Sequence, residues 1–167
     1  MRSVNLWRDR LSSLLGLAKR AKSETPGGVY PEAVFRSLVQ NESMRSKRSG
    51  QLWRILLVYR TDPQGGIVPM EQELAMKVMA LLSTSLRATD YIGWYRKEYI
   101  LASILTAFKP DSGVDGCNNL KIRLTDRFRG SRTFTADHSL QLRVIEQDEL
   151  TASKVYDHPA SSLASKD

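Results

Sequence analysis

The stretch Arg87-Ala-Thr-Asp-Tyr-Ile-Gly-Trp-Tyr-Arg-Lys-Glu-Tyr-Ile-Leu-Ala-Ser-Ile-Leu105 decides the fold. Two apolar runs rich in aromatic and β-branched residues flank a short charged turn, Arg96-Lys97-Glu98. Side chains of that kind suit a pleated, half-buried surface, and a polar break of a few residues lets the chain reverse. The pattern predicts a β-hairpin with strands at 91–95 and 99–107.

Outward from the hairpin, the periodicity changes. Residues 69–87 carry Leu74, Val78, Leu81, Leu82 and Leu86 on one helical face, with Met70, Met76 and Met79 filling beside them. Pro63, Gly65 and Gly66 mark a loop before that helix. Ahead of the loop, Leu52-Trp-Arg-Ile-Leu-Leu-Val-Tyr59 is almost continuously apolar, as expected of a central strand buried on both faces. Residues 31–48 predict a further helix with Pro31 in its first turn and Val34, Phe35, Leu38 and Val39 facing inward. Gly50 stops it. The cations Arg45, Lys47 and Arg48 at its end are favoured by the helix dipole and need no ligand. After the hairpin, Asp111-Ser-Gly113 opens a loop. A helix over 114–129 presents Leu120, Ile122, Leu124 and Phe128, and Leu140-Gln-Leu-Arg-Val-Ile145 alternates like a half-buried strand. The residues from Ala152 onward are rich in Ser, Ala, Lys and Asp and read as disordered.

Residues 4–22 predict an amphipathic helix. Val4, Trp7, Leu11, Leu14, Ala18 and Ala21 recur at alternating spacings of three and four, a heptad-like seam widened by Leu6, Leu15 and Leu17. Such a seam packs on its own domain, pairs with a second copy or docks a partner. Asp9 and the short length speak against a membrane-surface role. Thr25-Pro26-Gly27-Gly28 breaks the helix. The chain therefore divides into 1–27, an N-terminal helix and linker; 28–150, a compact domain; and 151–167, a tail.

The order of the core is strand, helix, strand, strand, helix, strand. That is an α+β, ferredoxin-like βαββαβ arrangement, an antiparallel sheet with two helices on one face. It serves enzymes, RNA-binding modules and scaffolds alike, so fold settles no function. The 167 residues carry a net charge of +7. Nucleic acid, an acidic protein face, an anionic nucleotide or a membrane surface could use it. An RNA-binding module of this fold interleaves aromatic with basic residues on its strands, and Trp53, Tyr59, Trp94 and Tyr99 do not, which ranks a nucleic-acid-binding module low. The basic residues Arg123, Arg127, Arg129 and Arg132 cluster in and after one helix instead. Cys117 is the sole cysteine, and His138 and His158 lie far apart. An internal disulfide, a Cys-based zinc cluster and a Ser-His-Asp triad are not expected, and no metal or cofactor is. Charges interrupt residues 1–22 and no run reaches transmembrane length, so a cytoplasmic location is expected.

Residues 28–147 resemble the diguanylate cyclase (GGDEF) family. Tyr30-Pro-Glu-Ala-Val-Phe35 through Arg48-Ser-Gly50 is similar to the family's opening helix. The strand 52–59, the helix 70–86, the Arg87-x-x-Asp90 exit and the hairpin follow in family order. Aligned without a gap from Asp90, Arg96 and Lys97 stand where the signature has its glycine pair. Glu98 takes the first acidic place, Tyr99 the catalytic second acidic place and Ile100 the buried phenylalanine. Glycines there let backbone approach a phosphate closely, which Arg-Lys cannot do in the same way.

The resemblance implies two metal-binding carboxylates, one at the end of the first core strand and one in the signature, because hard cations require oxygen ligands. Tyr59 stands near the first place and Tyr99 at the second; Asp62 falls late. It therefore implies a domain without cyclase activity, with no catalytic residues and no metal. Such a domain acts as a signalling or scaffold unit, by dimerisation or partner docking, in a bacterial regulatory system of the exopolysaccharide or biofilm type. Arg87-Ala-Thr-Asp90 also matches the family's Arg-x-x-Asp site, where arginine and aspartate contact cyclic di-GMP, so an effector role through Arg87 and Asp90 is the alternative.

Overall fold

The computed structural model describes residues 28–106, 113–130 and 140–152. The seam residues Val4, Trp7, Leu11, Leu14 and Ala18, and all but the first two residues of the tail expected over 151–167, lie outside the described residues.

Helix α1 spans Glu32–Ser49. Pro31, fixed at φ −58°, sets the chain for its first turn, and Gly50 closes it in the left-handed conformation at φ 68°, donating its N–H to the Ser46 carbonyl. Strand β1, Arg54–Thr61, is the spine of the molecule. It pairs with β4 (Ile100–Leu105) on one side and β5 (Leu140–Ile145) on the other, so that Leu57 stands opposite both Ala102 and Arg143. Both pairings are antiparallel, as is that of β4 with β3 (Tyr91–Arg96). The sheet runs β3-β4-β1-β5. β2, the two residues Ile67–Val68, adds to the end of β1 at Arg60 and Thr61.

Helices cover both faces, which explains the unbroken apolar run in β1. Ile55, Leu57 and Tyr59 point to one core, shared with Phe35 and Val39 of α1. Leu56 and Val58 point to the other, shared with α2 (Gln72–Ser85) and α3 (Gly113–Gly130) through Val78, Leu82, Leu124 and Phe128. A short helix, α4 (Gln147–Ala152), seats Leu150 in the α1-side core. The molecule is thus α+β, an antiparallel sheet with four helices among the described residues. The two central helices share a face as expected, and α1 covers the second face.

Several boundaries differ from the sequence expectation. β1 starts two residues later than 52 because Leu52 is exposed and only Trp53 turns inward. α2 is shorter than 69–87. Its last turn ends at Leu86, which is extended but still donates its N–H to Leu82. Ile122 is 58% exposed and not part of the apolar face. Leu120, Leu124 and Phe128 repeat every four residues, and a residue two positions along that series points away from them. β2 and α4 have no counterpart in the pattern, being two and six residues long.

The outer edge of β3 is partly covered. Tyr30 forms a parallel bridge to Gly93, donating its N–H to Ile92 O at 2.8 Å and accepting from Trp94 N–H at 2.9 Å. Burial, and then the neighbouring Tyr91 phenol, pushes the Tyr30 hydroxyl above its ordinary range. Gly93 also lies under the Phe35 ring, so α1 and β3 approach closely only because this position lacks a Cβ.

Candidate functional site

The hairpin turn is where chemistry would be expected, and its geometry departs from the expected Arg96-Lys97-Glu98 turn. β3 runs through Arg96, which pairs with Ile100. A bulge between Trp94 and Arg96 adds a residue to β3 and turns Arg96 toward the face that holds Ile100. Arg96 is consequently a buried strand residue, 8% exposed, with its guanidinium 4.2 Å from the Tyr99 ring centre. It does not sit in the turn, as the sequence predicts. The turn is Lys97-Glu98-Tyr99, closed by the Tyr99 N–H donating to Arg96 O at 3.0 Å. Glu98, its third position counted from Arg96, has φ 66°. Type II turns place glycine there. The backbone position that favours glycine is therefore Glu98 and neither Arg96 nor Lys97.

The turn is held on two sides. The Lys97 N–H donates to Glu32 Oε2 at 2.7 Å. Glu32 Oε1 lies 3.2 Å from Arg36 Nε, and Arg36 Nε donates to Tyr95 O at 2.9 Å with its guanidinium 4.5 Å from the Tyr95 ring centre. On the other side the Met70 N–H donates to Glu98 O at 2.6 Å. A backbone N–H of the turn is thus occupied by the chain's own carboxylate.

The strand-end position is equally committed. Tyr59, which the sequence resemblance sets near the first metal-binding place, is 7% exposed and faces the α1-side core. Asp62 Oδ1 accepts from Gln64 N–H at 3.0 Å and Gly66 N–H at 2.7 Å, and the Asp62 N–H donates to Gly66 O at 2.9 Å. That is an Asx turn set around Pro63, with Gly65 at φ 85°. Asp62→Ala should cost about 1–2 kcal/mol through two lost acceptor contacts, while Asp62→Asn, which keeps Oδ1, stays within about 0.5 kcal/mol. Urea unfolding measures both, and equal loss in the two variants would contradict the assignment. Among the described residues, no group of three or more His, Cys, Asp or Glu is placed to hold a metal ion.

Arg87 and Asp90 do come together, through backbone. The Arg87 N–H donates to Asp90 Oδ2 at 3.0 Å and the Asp90 N–H to Arg87 O at 3.0 Å. Arg87 is exposed. Two arginines of α3 reach the end of α2 beside this turn: Arg127 Nη1 donates to Ser85 Oγ at 2.9 Å and Arg123 Nη2 contacts Ser85 O at 3.4 Å. The basic cluster in the sequence hinted at these arginines but gave no partner for them. Glu32 and Arg36 carried no signal beyond being an i, i+4 pair at a helix start.

A cleft of about 890 Å³ lies beside the turn, lined by Val29, Pro31, Met70, Met76, Met79 and Trp94, with Glu32, Lys97 and Glu98 at its polar end. No helix among the described residues is long and apolar enough to cross a membrane.

Neither a family model nor a curated protein matches this sequence. Among solved structures, the chain is similar to the diguanylate cyclase SiaD from Pseudomonas aeruginosa, determined in complex with its activator SiaC. The identity is 18% and the TM-score 0.49, over 86% of this chain and 56% of that one. The chain spans a little over half the length of that cyclase.

Proposed function

We propose that this chain is a GGDEF-like, ferredoxin-type domain without cyclase activity, acting as a signalling or scaffold unit through dimerisation or partner docking by its N-terminal segment and hairpin. The observation that carries this reading is the state of the resembled active site. Tyr59 is packed into the core where a metal-binding carboxylate would stand, Asp62 is tied to its own loop, and the Glu32 carboxylate holds the turn's Lys97 N–H. Two-metal phosphoryl transfer needs carboxylates free to coordinate, and a turn open to phosphate. Purified protein incubated with GTP and Mg²⁺ or Mn²⁺ should yield no cyclic di-GMP above a heat-denatured control. Turnover above that control would sink the reading.

A cyclic di-GMP effector role is the second reading. It is favoured by the Arg87–Asp90 turn and by Arg123 and Arg127 beside it. Guanidinium groups pair with phosphate or a guanine edge, and each charge-assisted contact contributes roughly 1.5–3 kcal/mol. In calorimetric titrations Arg87→Ala should then weaken binding about tenfold or more, and Lys97→Ala less. Absence of heat at high micromolar ligand removes this role and leaves the scaffold reading.

A further inference from the structure

We propose that the cleft beside the hairpin turn is the resting seat of the chain's own N-terminal seam, Val4/Trp7/Leu11/Leu14, held in cis. This goes beyond the scaffold reading and does not depend on the fate of the cyclase site.

The cleft is mostly apolar, and flexible methionine side chains let such a surface adapt to an inserted helix. Met76, on its wall, is 58% exposed, the joint largest exposure among the large apolar side chains of the described residues. Helix-in-groove recognition uses anchors spaced three or four apart, and the seam provides them.

Connectivity favours this occupant. Val29 and Pro31, which line the cleft, follow the short linker 23–28 that comes after the seam. Residues 23–28 can extend at most about 20 Å, so the helix expected over 4–22 would be confined near the cleft mouth. A tether that short gives an effective concentration in the millimolar range, and a seam of only ~0.1 mM intrinsic affinity is then seated about ten times more often than free.

Methionine oxidation of the full chain tests the seat. From the domain's geometry Met76 should react faster than Met44, which is 41% exposed. With the seam seated, Met76 should form sulfoxide about tenfold more slowly than in the Leu11→Asp/Leu14→Asp variant, and more slowly than Met44. In that variant the order reverses, while Met70, 4% exposed, stays slow and shows that the domain remains folded. If Met70 becomes reactive, Leu11→Ser alone replaces the double change. Met76 reacting at least as fast as Met44 in the unmodified chain would overturn the proposal. So would protection of Met76 that disappears on dilution to nanomolar protein, which would assign the seat to a second copy.

Discussion

Gly93→Ala is expected to cost about 2–3 kcal/mol of stability, at the upper end of the range for overpacking a filled core. A Cβ built at this position would stand 2.4 Å from Phe35 Cδ2, 2.6 Å from Cγ and 2.8 Å from Cβ. Two of those atoms belong to the ring's root and cannot swing aside. Phe35 is fully buried between α1 and the sheet, so relief requires moving α1 itself. That movement strains the contacts binding α1 to the hairpin, the Glu32 carboxylate on Lys97 N–H and Arg36 Nε on Tyr95 O. For a chain of this size the loss corresponds to a melting temperature lower by about 5–10 °C. Phe35→Leu removes part of the obstacle at its own cost of about 1–2 kcal/mol. Because the two positions touch, the double variant should be more stable than the sum of the singles predicts, by about 1 kcal/mol. Thermal and urea unfolding of all four proteins give the cycle. A Gly93→Ala protein within about 0.5 kcal/mol of the unmodified chain, or strict additivity, would show that α1 does not press on β3 as described.

The same pair of residues marks how far the sequence can be read. A lone glycine in an apolar strand signals either weakness or a close approach, and only the placement of Phe35 distinguishes them. What was legible came from burial on known periods. The run around Leu56 marked a strand buried on both faces, the Leu140 strand alternated, and the hairpin announced itself by apolar runs about a charged break. What was not legible depends on local geometry that leaves no period. β2 and α4 are too short to show one. The bulge in β3 shifts by one residue which side chain enters the turn, and the apolar–charged pattern has no means of registering it. Asp62 could be located in a loop but not assigned its two N–H partners. Glu32 lies 65 residues from the Lys97 N–H it accepts from, and nothing in either sequence neighbourhood points to the other.

The bulge has a consequence that can be measured. Sequence logic would restore the resembled signature by replacing Arg96 with glycine, but Arg96→Gly is expected to destabilise the domain by about 2 kcal/mol. Glycine inside a strand costs about 0.5–1 kcal/mol relative to alanine. Loss of the guanidinium stacked at 4.2 Å from the Tyr99 ring removes about 0.5–2 kcal/mol more, together with the burial of the aliphatic stem. Arg96→Lys keeps charge and stem but loses the flat stacking surface, so it should fall between the two, at about 0.5–1 kcal/mol. Glu98→Gly should behave in the opposite sense. It relieves a non-glycine residue at φ 66°, worth about 1–2 kcal/mol, against a somewhat smaller entropic cost of glycine, and so leaves stability unchanged or slightly raised. The sign of this contrast identifies which residue occupies the turn, and urea unfolding at neutral pH reads it. An Arg96→Gly protein as stable as the unmodified chain, or a Glu98→Gly protein less stable than Arg96→Gly, would place Arg96 back in the turn. On the proposed function, neither glycine should bring cyclic di-GMP synthesis with it, since neither change adds a carboxylate free to hold a metal ion.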